Sequence, residues 1–552
     1  MSAPTSYDIV QYSSHALPQT HPDRLGAIAA LFGMCPKAVD ECSVLELGCG
    51  DGGNLLPMAY GLPGSRFVGV DLAAGPIAAG QAMAQALGLS NIDLRCADIM
   101  EIGPEWGSFD YIIAHGFYSW APPHVQDRLM SICGANLAPH GVGYVSYNTY
   151  PGAHMRQMMR EMMLFHTRGV DDPRRKIEGA LGLISLLSDA GAGGPASVPA
   201  LQKELETIRA YPSAALLYHD DMSPANHPVY FRHFVEHAAR HGLQFLGEAD
   251  FFEMQDRIYP QAVRDALQEI AGSQILIREQ YLDFIKCRRF RQTLLCHRGV
   301  ALEREIAPER IMRLAVASQA RPESAAPDLA SSAPETFRGP NGAAMQTGHA
   351  LSKAAMACLG DAWPRRIPFR ELAALAAARL AEAADAPGAS PGGFDGRSRG
   401  AAGFPKGART AGGEFAEDSL GAPAAADDPD VRALAEILIG TYSAGLIELH
   451  AHVPDCAMEA GERPKASAVA RMQLEAGGMH LTSLLHTTVR IEDPLGAALI
   501  RLLDGTRDRA ALVRDLAALI APDESSESAA AERIAANLEP SLAALARSSL
   551  LA

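Results

Sequence analysis

The stretch Glu46-Leu-Gly-Cys-Gly-Asp-Gly-Gly-Asn54 holds the densest concentration of chemistry in the chain. Glycines at 48 and 50 permit a tight turn and a close backbone approach to a ligand, and a helix opening behind such a turn presents unpaired N–H groups. By spacing alone Gly48, Gly50 and Gly53 satisfy the dinucleotide fingerprint, so the glycines leave a nicotinamide dinucleotide and S-adenosylmethionine both open. The acids decide between them. Glu46 would repel a pyrophosphate, whereas S-adenosylmethionine has no phosphate and brings an ammonium and a sulfonium that favour a neighbouring carboxylate. Asp71, followed by Leu72, comes about 20 residues later, where an acid can accept both ribose hydroxyl protons. Asp98 is placed to receive an adenine amino group, with Ile99 against the ring. Glu46, Gly48, Gly50, Gly52, Asn54, Asp71, Leu72, Asp98 and Ile99 are therefore the expected cofactor-binding set.

A second group, Ala114-His-Gly-Phe-Tyr-Ser-Trp120, follows the fourth expected strand. His115 is expected to touch the cofactor through its backbone and is also a candidate base. Tyr118 and Trp120 are candidates for an aromatic wall that holds an amine by cation–π contact; the competing reading is that they pack the loop onto the sheet. Asn148 and Tyr150 could orient the acceptor, and Tyr7 and Tyr12 could fold over the cofactor as an arm. In-line methyl transfer needs alignment and exclusion of water more than a nucleophile from the protein. If the acceptor is a lysine amine, with an unperturbed pKa of about 10.4, it must first lose a proton.

The elements that position these groups alternate regularly. Strands are expected at 44–47, 66–71, 92–96, 109–114 and 142–147, with helices at 54–60, 77–87 and 125–137 between them and a turn at Pro139-His-Gly141. Such alternation demands right-handed crossovers and a mostly parallel sheet, an α/β Rossmann-like class over residues 1–151. Thr20 is expected to cap a helix carrying Pro22 and Asp23 in its first turn. Residues 152–300 read as a helical insertion followed by strands at 243–246 and 293–297 that complete the sheet. The basic run Lys286 to Arg291 is expected on a solvated face. Residues 301–455 and 456–552 read as smaller α+β, winged-helix-like units, with a disordered linker over 386–430 and a last helix capped by Thr506.

Composition bounds the function. The 552 residues suggest three or four units, and the net charge of −16 argues against nucleic acid as a partner. Nine cysteines without a CxxC pair encode neither a disulfide framework nor a metal site, and imply a reducing compartment. No leader and no apolar run of membrane-spanning length is seen, so a cytoplasmic protein without stable membrane insertion is expected.

The glycine and acid motifs over residues 40 to 150 resemble class I S-adenosylmethionine-dependent methyltransferases. Thr20-His-Pro-Asp-Arg-Leu25, Glu46-Leu-Gly-Cys-Gly50, Ala114 to Trp120 and Tyr147-Asn-Thr-Tyr-Pro-Gly152 resemble the bacterial members that carry a methyltransferase regulatory domain. His227-Pro-Val-Tyr-Phe231, His241-Gly-Leu-Gln-Phe-Leu-Gly-Glu248 and Arg289-Phe-Arg-Gln-Thr-Leu-Leu295 resemble that regulatory segment. The rickettsial protein-lysine methyltransferases that modify outer-membrane protein are similar in architecture and length. The resemblance implies methyl transfer to lysine in a protein substrate, the C-terminal units gripping the target or forming a homodimer. A small-molecule methyltransferase and a non-catalytic cofactor-binding regulator are the alternatives.

Overall fold

The computed structural model describes residue 10 and residues 14–191, 199–210, 214–223, 225–384, 428–520 and 524–552. Tyr7, Tyr12 and the linker stretch 386–427 lie outside the described residues. Two compact units emerge, the first from Met1–Leu25 and Cys42–Leu302, the second from Gly26–Glu41 and Glu303–Ala552. Residues 26–41 thus pack with the second unit: Phe32 O accepts from Glu303 N, and Arg310 Nη1 donates to Leu31 O.

The first unit is built on one seven-stranded sheet. Its strands are β1 (Ser43–Leu47), β2 (Arg66–Asp71), β3 (Ile92–Cys96), β4 (Phe109–Ala114), β5 (Leu137–Asn148), β6 (Leu243–Glu248) and β7 (Phe290–His297), in the order β3-β2-β1-β4-β5-β7-β6. Val44, Leu45, Leu47, Ile112 and Ile113 are fully buried, the continuous apolar run of a strand covered on both faces. The first five strands pair in parallel, while β7 runs antiparallel to both β5 and β6. Strand order reverses at β1, which has β2 on one side and β4 on the other, so the carboxyl end of β1 opens the crevice where ligands of such sheets bind. Helix α1 (Pro22–Leu31) has only its first turn in this unit, whose other helices are α2 (Leu55–Gly61), α3 (Ala74–Ala86), α4 (Pro123–Asn136), α5 (Ala153–His166), α6 (Pro173–Gly191), α7 (Pro199–Arg209), α8 (Phe231–Arg240), α9 (Gln261–Ala271) and α10 (Ile275–Lys286). Met159, Met163, Ala180, Ile184, Leu205 and Ile208 give α5, α6 and α7 a small core of their own.

Four local expectations change. Pro139-His-Gly141 is an irregularity inside β5, whose pairing with β4 shifts register there, and not a turn before it. Thr20 does not cap α1: its hydroxyl donates to Leu17 O, and His21 Nδ1 accepts from Asp23 N instead. At the last helices Asp508, and not Thr506, accepts from the helix N–H groups, through Ala511 N. The run Lys286 to Arg291 is not a solvated face. Arg291 is 1 % exposed and forms ion pairs with Glu248, Asp283 and Glu279 at 2.5, 2.8 and 3.2 Å, because β7 turns its side chain under α10.

In the second unit, Ala315–Ala317 pairs antiparallel with Ile367–Pro368 and Glu448–His450. Its last segment combines helices Ala468–Glu475, Pro494–Leu502, Arg509–Ile520 and Glu524–Arg547 with the antiparallel pair His480–Thr482 and Thr488–Arg490 around a separate apolar core. No described helix is long and apolar enough to cross a membrane.

Candidate functional site

Gly48, Gly50 and Gly52 take φ of +77°, +58° and +77°, a region L side chains rarely adopt, and this carries the chain from β1 into α2. Asp71, at the end of β2, fastens the loop: Oδ2 accepts from Gly50 N at 2.9 Å and Oδ1 from Ala73 N at 2.8 Å. The packing around the loop is tight. A Cβ on Gly53 would stand 2.7 Å from Ser14 O, so the N-terminal arm crosses here, and one on Gly80 of α3 would stand 2.2 Å from Asp51 O.

Glu46 is the chemical centre of this loop. It is 4 % exposed, and Oε1 accepts from Asn54 Nδ2 at 3.0 Å, while Oε2 is buried with no hydrogen-bond partner among the described residues. Burial lifts its pKa from 4.5 to about 8; the Asn54 hydrogen bond opposes the rise, and the charges of Asp71 and Asp51 add to it. A buried carboxyl with an unmet oxygen, in company with two further acids, fits a ligand that brings a cation and misfits an anionic one. Asn54, expected to touch the cofactor, is instead the residue that orients Glu46. Its Nδ2 also donates to Thr20 Oγ1 at 3.0 Å and its Oδ1 accepts from Leu17 N at 2.9 Å.

At the end of β3, Asp98 Oδ1 accepts from Met100 N and so starts the short turn Ile99–Glu101. Ile99 is 4 % exposed and packs inward, whereas Leu72 (56 %) and Met100 (42 %) present open apolar surface beside Asp71 and Asp98. Those two side chains, and not Ile99, are the ones available to cover an aromatic ring.

The loop after β4 divides its residues between two sides. His115 Nδ1 bonds the Tyr144 hydroxyl at 2.9 Å, which donates on to Gln292 Oε1, and burial, with His15 nearby, lowers the His115 pKa to about 4. A neutral imidazole locked in this relay is a fixture of the site. Gly116 N donates to Ser146 Oγ, and Ser119 Oγ accepts from Asn148 N, which ties the loop to β5. Tyr118 is 2 % exposed. Its ring packs against Phe234 and Tyr147, with centroids 5.2 and 5.9 Å away, and its hydroxyl lies 2.8 Å from His237 Nδ1. This corrects the expectation of a Tyr118 aromatic wall: the ring turns under α8 and supports the loop from behind. Trp120 is only partly buried, and its Nε1 donates to Asp220 O at 3.2 Å. Asn148 Nδ2 reaches Asn226 Oδ1 at 3.2 Å, and Tyr150 stacks on His154 with centroids 4.1 Å apart.

Several residues here had no local signal. Asp220 lies in the π-helical turn Leu217–Asp221, and burial, together with the charge of Asp221, lifts its pKa to about 7 against the pull of Arg156. Ser14 and Asn226 likewise reach the site only through the fold.

Residues 44–141 match the family described as "Methyltransferase domain", residues 213–297 that described as "Predicted methyltransferase regulatory domain", and residues 462–550 "PKMT, C-terminal winged helix domain". Two uncharacterized proteins of Rickettsia prowazekii are similar. RP789 is 36 % identical over 57 % of this chain and 57 % of its own length, and RP028 is 32 % identical over 44 % of this chain and 96 % of its own. The chain thus matches little more than half the length of RP789. Among solved structures, PKMT2 from Rickettsia typhi superposes with a TM-score of 0.78 at 26 % identity, covering 98 % of this chain and 99 % of that one. The same protein in complex with AdoHcy gives 0.79 at 25 % identity over the same shares.

Proposed function

Because the chain belongs to the S-adenosylmethionine-dependent methyltransferases that carry a methyltransferase regulatory domain, we propose that it methylates the side-chain amine of lysine in a protein substrate. The observation that carries the methyl-transfer part is the buried Oε2 of Glu46 at the switch point of the sheet, which has no partner among the described residues. The protein-lysine part is supported by the likeness to PKMT2 along nearly the whole chain, winged-helix segment included.

When bound, S-adenosylmethionine supplies an electrophilic methyl carbon on a sulfonium leaving group. Glu46 would hold the ammonium of its methionine moiety, Asp71 the ribose hydroxyls and Asp98 the adenine amino group, and Leu72 would cover the ring. His115 keeps the end of β4 rigid through Tyr144. Trp120 and Asn148 line the acceptor side, and the indole gives a lysine side chain a cation–π surface to approach along. An amine attacks carbon only with its lone pair free, so the lysine nitrogen must shed a proton before or during transfer. Asp220, whose main chain holds Trp120 and whose pKa of about 7 suits the task, takes that proton.

The test is incubation of purified protein with methyl-labelled cofactor and a cell lysate, followed by separation of macromolecules from metabolites and hydrolysis of the protein fraction. Label is expected in methylated lysine. Label confined to metabolites rejects the protein substrate, and label in neither fraction despite cofactor binding rejects the enzyme.

A further inference from the structure

Helix α4 belongs to the segment that matches the methyltransferase domain and α8 to the segment that matches the regulatory domain, and both lie in the first unit. Where they pack together three side chains converge. His237 Nε2 lies 3.1 Å, and His241 Nε2 2.9 Å, from the same atom, Oδ1 of Asp127. The four-residue spacing sets His237 in the last turn of α8 and His241 at the residue that closes it, so both rings share one side of the helix end. From this geometry we propose that Asp127, His237 and His241 bind one divalent transition-metal ion of the zinc type, which staples the regulatory segment to the methyltransferase core.

The donor chemistry suits such an ion. Two imidazole nitrogens and one carboxylate oxygen, all within 4.8 Å of one another, are a set that zinc takes with water in the remaining position, and other first-row divalent ions accept it too. Ligands held at about 2.0–2.2 Å around a tetrahedral ion stand about 3.3–3.5 Å apart. The two nitrogen-to-oxygen distances here, 3.1 and 2.9 Å, are those of hydrogen bonds, and the side chains would part by about 0.2–0.6 Å to admit the ion. The surroundings also fit. His237 Nδ1 is braced by the Tyr118 hydroxyl, the kind of outer partner that fixes the ring of a metal-bound histidine. The Asp127 side chain is 60 % exposed, which gives an ion a path from solvent and room to keep water. Arg240, on the same helix, is the charge that opposes a cation.

Such an ion would act on the reaction loop. Tyr118 opens the turn Tyr118–Trp120, so an ion that orders His237 also holds the hydroxyl of Tyr118 and the loop beside the acceptor. Occupancy couples the regulatory segment to the acceptor side without touching the cofactor.

Full-length protein stripped with a chelator is titrated with Zn2+ in competition with a chromophoric chelator, and with Co2+ by visible absorption. One ion per chain is expected, with Co2+ bands of nitrogen and oxygen ligation and no thiolate charge-transfer band. Asp127→Asn, which changes an exposed side chain, and His241→Gln are each expected to abolish that stoichiometric binding, and Tyr118→Phe to weaken it about 10-fold. Saturating Zn2+ raises the Tm of the wild type by roughly 2–6 °C and leaves Asp127→Asn unchanged. Wild-type protein that binds no ion tighter than about 1 μM, or equal binding by Asp127→Asn and wild type, overturns the proposal. Cobalt bands of thiolate type overturn it as well.

Discussion

Replacing Glu46 with Gln separates what that carboxyl does for folding from what it does for the cofactor. In the ligand-free protein its folded pKa of about 8 exceeds the ordinary 4.5, so the folded state holds the proton more tightly than the unfolded one. The stability tied to that proton is complete below pH 4.5 and drains away as pH climbs through 8. Gln keeps the shape and has no proton to lose. Glu46→Gln therefore stabilises the ligand-free protein at pH 8, by on the order of 2 kcal/mol. The cofactor reverses the preference, since its ammonium favours the ionised carboxylate and drives the proton off. Wild-type affinity should thus rise with pH, by up to about tenfold per unit, and level off near 8. At higher pH the α-amino group of the cofactor itself loses its charge, and binding weakens again. A hydrogen bond between charged partners is worth about 1.5–3 kcal/mol, so Glu46→Gln should bind roughly 10- to 150-fold more weakly at pH 8. Calorimetric titration with S-adenosylhomocysteine in buffers of different ionisation enthalpy reads both affinity and proton release, and thermal unfolding reads the stability. If Glu46→Gln binds within about twofold of wild type at pH 8, or wild type releases no proton, then Glu46 does not hold the ammonium.

Other perturbations probe the rest of the site. Gly80→Ala drives a methyl group into Asp51 O and Leu94, and should cost about 1–3 kcal/mol in urea unfolding while loosening cofactor binding; an unchanged midpoint and Kd would show that the loop gives way freely. Arg291→Leu leaves Glu248 buried without its cation, and Glu279 and Asp283 with Arg288 alone, and a loss of about 3–5 kcal/mol is expected by the same measurement. Asp220→Asn should lower kcat about 100-fold with the cofactor Kd unchanged; in wild type kcat rises with pH through about 7 as Asp220 ionises, and a variant that keeps that rise removes Asp220 from the proton path. Tyr118→Phe should cost about 1 kcal/mol of stability with only a small change in kcat, whereas a collapse of kcat alone would restore Tyr118 to the acceptor wall.

Much of the cofactor side was legible because it is local. An apolar run ending in an acid, a glycine turn and an amphipathic helix each declare themselves within a dozen residues, and Glu46, Asp71 and Asp98 fall at the ends of β1, β2 and just past β3. Their charges were enough to separate a sulfonium cofactor from a dinucleotide. Tertiary structure decided how those groups are held and which way their neighbours face. Asn54 reads as one more ligand contact until Thr20, 34 residues earlier, and Leu17 are seen to fix it toward Glu46. Tyr118 lies beside Trp120 in the chain, yet one ring turns in and the other stays out. The reason is His237, 119 residues on, whose imidazole meets the Tyr118 hydroxyl once α8 has packed against the sheet. Arg291 reads as a surface cation until β7 and α10 close three acids around it. Periodicity and turn chemistry are short-range and can be read along the chain; the partner of a buried polar group is chosen by elements that meet only in the packed molecule.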